Sequence, residues 1–295
     1  MEYDLIKVFG IQRSGNHAIL NWLLGLETHN MLFFNNPRKD QGLLENPSAI
    51  SLPEGVRSYA SRVDRKKVIH PENVDRFRGS GGTLICSYEN HDLETLNEAE
   101  LDAPINSEFG PPRSKKKIIV IRNPFNVAPS TLKMVRRMKA KDGVTEEELL
   151  QIVEHRLKMW VGYAEITLEH DAGQRKDFLP INFDFWASNK SYRDEIAARL
   201  GYSNSDRFFD FVSDAGGGSS FGGTKEMLTA EKLGSRWSQA EDKDTLRPIF
   251  LRQKKVVTLA ARIWGPGLIP EEIAQVGDAD SRRPARFSVR PKSTK

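Results

Sequence analysis

The sequence predicts an α/β fold with a doubly wound, mostly parallel central sheet flanked by helices, and three observations lead there. Short apolar runs rich in β-branched residues alternate with stretches of helical periodicity. The first of these runs breaks into a glycine-containing loop and resumes as a helix, the start of a strand–loop–helix unit. A later run, Ile118-Ile119-Val120-Ile121, has no polar alternation, as suits a parallel strand covered on both faces.

In chain order, residues 5–11 form the first strand, Gln12-Arg13-Ser14-Gly15-Asn16-His17 the loop, and Ala18-Ile19-Leu20-Asn21-Trp22-Leu23-Leu24 the helix, with Trp22 in the core. Residues 31–35 read as a second short strand. Residues 36–82 carry Pro37, Pro47, Pro53, Pro71 and Gly79-Ser80-Gly81-Gly82 without sustained periodicity, and read as a long irregular excursion, either the wall of a binding site or a surface insertion. Residues 83–88 form a buried strand, and a helix is expected to start near Asp92. Lys115-Lys116-Lys117 precede the strand at 118–121, which stops at Arg122-Asn123-Pro124. A helix capped by Asn126 follows, with Pro129 tolerated in its first turn. Thr145 and three glutamates open a long amphipathic helix whose core stripe is Leu149, Ile152, Val153, Leu157, Trp160 and Ala164. Residues 178–183 form a further strand, and Ser188 caps a helix that ends at Gly201.

Bulk composition narrows the class of protein. Cys86 is the one cysteine, which excludes an internal disulfide framework and fits a reducing compartment. No window approaches the roughly 18 consecutive apolar residues of a membrane span, and the chain enters a strand without a charged leader, so a soluble cytoplasmic protein is expected. The formal charge of +4 resides in the end of the chain. Residues 281–295 hold six basic side chains and no acid, which leaves −2 for residues 1–280. A near-neutral body weakens a nucleic-acid reading. Residues 1–280 are therefore expected to form a single domain, and 281–295 a basic, disordered tail, with an electrostatic tether to an acidic partner as the alternative.

The chemistry concentrates at two strand ends. A tight loop running into a helix N-terminus points backbone amides at one spot, and Arg13 and Ser14 add a fixed charge and a hydroxyl donor. The loop is P-loop-like but lacks the Gly-Lys-Ser/Thr ending used for triphosphate and magnesium. Arg122-Asn123-Pro124, followed by Ser130, makes a second anion-binding set. Ligands of open parallel sheets bind beyond the carboxyl ends of the strands, so a ligand with phosphates at two separated positions is expected. Histidines 17, 29, 70, 91, 155 and 170 are scattered without metal-ligand spacing.

Taken in this order, these motifs resemble the two signatures of sulfotransferases that use 3′-phosphoadenosine-5′-phosphosulfate (PAPS). Arg122 and Ser130 stand eight residues apart, as in that family's Arg-Asn-Pro segment. The loop matches in its Arg-Ser-Gly centre and departs at Gln12, where proline is usual, and at Asn16-His17, where two threonines are common. Ile181-Asn182-Phe183-Asp184-Phe185 and Leu233-Gly234-Ser235-Arg236-Trp237 are similar to later family segments, so the likeness spans about residues 5–265. The resemblance implies that Arg13, Ser14 and Gly15, with Asn16 and His17 beside them, hold the 5′-phosphosulfate, while Arg122 and Ser130 hold the 3′-phosphate with help from Arg236. It implies a PAPS-dependent transferase that needs no metal and whose base is Glu89 or His91, both following the strand at 83–88. His17 either polarises the sulfuryl oxygen or packs at the helix start. The acceptor expected from the family is a hydroxyl or amine, in the first place on a carbohydrate.

Smaller expectations attach to other residues. Lys133 and Arg137 extend a positive field or, with Arg136, Lys139 and Lys141, form a solvated helix face. Trp237 stacks on the nucleotide or is buried, and Gly216-Gly217-Gly218-Ser219-Ser220-Phe221-Gly222-Gly223 reads either as a flexible loop or, since Lys225, Lys232 and Arg236 follow closely, as a lid. Two competing functions are a P-loop nucleotide kinase and a non-catalytic module that holds a polyanion with its basic tail.

Overall fold

Strand β1 (Tyr3–Gly10) has every residue buried except the partly exposed Asp4, and it takes a parallel neighbour on each side, β5 (Gly82–Glu89) and β6 (Ser114–Ile121). With β2 (Met31–Asn35) and β7 (Phe178–Asn182) they form a five-stranded sheet of order β2-β5-β1-β6-β7, and β2 is also parallel to β5. Helices follow the strands: α1 (Asn16–Leu26), α2 (Pro71–Ser80), α3 (Glu98–Phe109), α4 (Pro124–Lys139), α5 (Glu146–Asp171), α6 (Phe183–Ser188), α7 (Lys190–Leu200), α8 (Lys243–Arg252), α9 (Lys254–Trp264) and α10 (Glu271–Ala274). The fold is α/β with a mostly parallel central sheet. This computed structural model describes residues 2–26, 30–64, 66–139, 143–211 and 236–274. The glycine-rich stretch at 216–223, Lys225, Lys232, Leu233-Gly234-Ser235, Lys141 and the tail at 281–295 lie outside them.

The chain forms two compact units interleaved along the sequence. The first runs to Val120 and takes in Asp177–Leu179 and the described residues from Ser205; the second takes in Ile121–Lys176, Pro180–Asn204 and the described residues from Arg236.

Within the first unit, strand register sets the site. Gly10 pairs with Glu89 in β5 and with Val120 in β6, so these strands end level. Lys115 and Lys117 lie inside β6 rather than ahead of it. The acids of α3 explain how lysines enter a strand: Lys115 binds Asp102 at 2.7 Å, and Lys117 binds Glu98 at 2.6 Å. Lys7, 1% exposed in β1, is ion-paired to the same Asp102.

Several boundaries differ from the sequence expectation. The excursion at 36–82 contains an antiparallel hairpin of β3 (Ala60–Val63) and β4 (Lys66–Ile69), and then α2. Its outer residues are largely exposed on both faces, so it shows no alternation. The helix expected near Asp92 begins at Glu98, because Asn97 accepts from Ala99 N. Helix α4 begins at Pro124, with Asn123 Oδ1 accepting from Phe125 N at 3.0 Å; Asn126 lies inside the helix, and so does Pro129. Asn189, not Ser188, caps α7 through Tyr192 N, and α6 occupies the residues before it. The reciprocal capping box of Thr145 and Glu148 opens α5 as expected, and its stripe is buried apart from the partly exposed Ile152. Trp22 is fully buried.

Candidate functional site

In the first unit the site is built around the loop that follows β1. Ser14 N donates to Ile11 O at 3.0 Å, closing a turn with Arg13 at its third position, φ 77°. That left-handed conformation is one glycine ordinarily takes, and for an L side chain it costs about 1–2 kcal/mol. Such strain is kept where a side chain must be aimed. Gly15 follows at φ 91°, and its carbonyl accepts from Ala18 N and Ile19 N, so α1 begins with the amides of Asn16 and His17 pointing outward from its first turn. The Ser14 hydroxyl is fully buried and has no hydrogen-bond partner.

Three asparagines brace this loop. Asn16 lies over Gly10, where a Cβ would come within 1.8 Å of its Oδ1. Its Nδ2 donates to Ile11 O and to Glu89 Oε1, both at 3.2 Å. Asn90, φ 59°, donates its amide to Gly10 O and accepts from Gln12 N at 2.9 Å. Asn36, φ 47°, accepts from Glu89 N at 3.3 Å and donates to Ser87 O at 2.8 Å. Neither Asn36 nor Asn90 was singled out by the sequence. Their signal was an asparagine directly after a strand, the residue that best tolerates left-handed backbone.

Of the two candidate bases, the fold brings Glu89 to the loop: Oε1 lies 3.9 Å from His17 Nε2 in addition to the Asn16 contact. His91 stands edge-on to Tyr88 at 5.6 Å, and Tyr88 in turn stacks on Phe9. Burial, with the charge of Lys39 adding to it, holds the His91 imidazole below its usual range, which favours its neutral form.

In the second unit a different group forms. Arg122 is 2% exposed and follows directly on β6. Its guanidinium lies 4.6 Å from the Phe183 ring centre, its Nε is 3.6 Å from Asp184, and its carbonyl accepts from Trp160 Nε1 at 2.8 Å. Asp184 also accepts from Asn123 N at 2.9 Å. Arg236, likewise buried, donates from Nη1 to Ser130 Oγ at 3.2 Å. Burial pushes the Asp184 carboxyl up from its ordinary value, while Arg122, the Asn123 amide and Arg236 pull against that. Asp184 thus lies beside the Arg122 guanidinium, which cannot lose its proton, while the nearby charge of Arg236 also favours the carboxylate. The chain reaches Asp184 because Asn182 ends β7 and at once caps α6, accepting from Asp184 N and Phe185 N. Asp184 lay in a segment the sequence singled out, yet only its contacts reveal its part.

The remaining candidates divide. Trp237 is buried edge-on to Phe125 and Phe250 and donates to Glu272 at 2.7 Å, so the burial reading holds. Lys133 and Arg137 are exposed, but Arg136 is no bare solvated charge: it pairs with Glu146 and with Asp242, the latter at 2.5 Å. Among the described residues no group of three or more His, Cys, Asp or Glu side chains is placed to hold a metal ion, and no helix is long and apolar enough to cross a membrane.

No family model matches the chain, and no curated protein does. Among solved structures it is similar to the sulfotransferase domain of the olefin synthase of Synechococcus PCC 7002, with 12% identity over 88% of this chain and 94% of that one, at a TM-score of 0.45.

Proposed function

We propose that the chain is a sulfotransferase that takes a sulfuryl group from PAPS and passes it to a hydroxyl of a carbohydrate acceptor. The observation that carries this reading is the Ser14 hydroxyl, fully buried beside the N-terminus of α1 without a hydrogen-bond partner. An orphaned polar group of this kind costs on the order of 1–3 kcal/mol. A bound anion satisfies it, together with the helix-terminal amides and the positive end of the helix dipole. The group of Arg122, Ser130 and Arg236 supports the second phosphate, since guanidinium forks match phosphate oxygens and a serine hydroxyl adds a donor. The absence of a Gly-Lys-Ser/Thr ending argues against triphosphate chemistry at the loop.

The bound donor supplies an activated sulfuryl group, whose bond to the 5′-phosphate oxygen breaks as the acceptor oxygen bonds to sulfur. Arg13, Ser14 and the first amides of α1 stabilise the charge that develops on the departing phosphate. Gly15 takes the left-handed backbone of the turn, and Asn16 holds the Glu89 carboxylate by a hydrogen bond, with His17 3.9 Å from it. Glu89 takes the acceptor proton, a role worth about 10²–10⁴ in rate. Between the two candidate bases its hydrogen bond to the loop favours Glu89 over His91.

The test is sulfate transfer from PAPS across a panel of carbohydrates. Wild type is expected to sulfate at least one acceptor, Glu89→Gln to lose about 100-fold or more in kcat, and His91→Asn to stay within a fewfold of wild type. A Glu89→Gln variant with wild-type kcat removes Glu89 from the mechanism. A wild-type protein that neither binds the donor nor transfers sulfate removes the function.

A further inference from the structure

Asn126 stands one turn before Ser130 on α4, so the two side chains share a face of that helix. It is 2% exposed, and its Oδ1 is buried without a hydrogen-bond partner. The sequence assigned this residue to a helix cap, but Asn123 holds that place and leaves Asn126 with no capping task. An interior helix position with an unmet acceptor is an expensive place for an asparagine, since a leucine there would leave nothing unsatisfied. The helix therefore bears a cost that a ligand can remove.

An amide oxygen only accepts, and a phosphate also only accepts, so the anion proposed for Ser130 and Arg236 does not meet the need of Asn126. A donor held close to that phosphate does. On a 3′-phosphorylated ribose the adjoining carbon carries one, the 2′-hydroxyl. Resting on the reading of Arg122, Ser130 and Arg236 as the 3′-phosphate site, we propose that Asn126 Oδ1 accepts a hydrogen bond from the ribose 2′-hydroxyl of the donor nucleotide. Asn126 would then select a ribonucleotide over its deoxy counterpart.

Calorimetric titration of the full chain with 3′-phosphoadenosine-5′-phosphate and with its 2′-deoxy analogue tests this in wild type, Asn126→Leu and Asn126→Ser. Wild type is expected to prefer the ribonucleotide by about threefold to tenfold, the worth of one neutral hydrogen bond. Both variants are expected to bind the two nucleotides equally, and Asn126→Leu without ligand to melt no lower than wild type. A merely structural asparagine would leave the wild-type preference intact in the variants, which would overturn the proposal. So would a wild type that does not distinguish the two nucleotides. A wild type that binds neither nucleotide overturns the phosphate reading itself, and this inference with it.

Discussion

Arg13 is where backbone and function disagree most openly. Its φ of 77° places a long side chain in a conformation that glycine adopts without penalty. The two effects can be separated: Arg13→Gly removes about 1–2 kcal/mol of backbone strain together with the contacts of the side chain, and is expected to leave the chain folded while abolishing sulfate transfer. A calorimetric melt beside a transfer assay checks it, and a variant that loses stability and activity together would mean that the arginine is structural. At this scale the sequence offers as candidates the residues whose chemistry is intrinsic, a guanidinium or a hydroxyl beside a glycine. Asn36, Asn90 and Asp184 stayed hidden because their roles arise from partners 53, 78 and 61 positions away, a closeness that only the folded chain creates.

Helix α1 starts where it does because the chain after β1 can fold tightly over Gly10. A Cβ at Gly10 would fall 1.8 Å from Asn16 Oδ1, so Gly10→Ala must displace the side chain that donates to both Ile11 O and Glu89. We expect it to cost about 1–3 kcal/mol of stability, as overpacking does, and to lower kcat through the misplaced Glu89. Unchanged kcat would show that the loop does not position Glu89. Strands were legible where they are buried on both faces, as in β1 and the end of β6, since their apolar runs are continuous. The hairpin of β3 and β4 was not, because Arg62, Lys66 and Lys67 are exposed and no apolar face marks it. Helix starts went astray by a few residues where two asparagines or a serine and an asparagine competed for the cap, as at Asn123 and Asn126 or Ser188 and Asn189.

For the molecule as a whole, the parallel α/β fold could be read from apolar runs, but not the way charge is buried inside it. Lys7 sits at 1% exposure in the central strand because Asp102 of α3 reaches it, and Lys115 binds the same carboxylate. Burial works to raise the Asp102 pKa, but the hydrogen bonds from Lys115 and Lys7 outweigh it, and the carboxyl stays below its ordinary value. A pKa lower in the folded than in the unfolded chain adds stability above about pH 4 and loses it as pH falls through the folded value. Asp102→Asn is therefore expected to cost about 3 kcal/mol at neutral pH by leaving buried Lys7 only the more distant carboxylate of Glu98, 3.9 Å away, as counter-charge. The gap from wild type should narrow below about pH 4 in denaturant titrations, and a gap that is constant with pH would contradict the assignment. The central claim, that this chain recognises a nucleotide by a 3′-phosphate in addition to its 5′ end, is tested most directly by thermal stabilisation with 3′-phosphoadenosine-5′-phosphate. The comparison ligands are ADP and ATP, each with and without magnesium. At one hundred times Kd the bisphosphate should stabilise by about 2.7 kcal/mol, a rise of roughly 5 °C or more in Tm, with no need for magnesium and no such rise in Arg122→Ala. An equal or larger shift with magnesium ATP, or a shift that survives Arg122→Ala, would contradict the account.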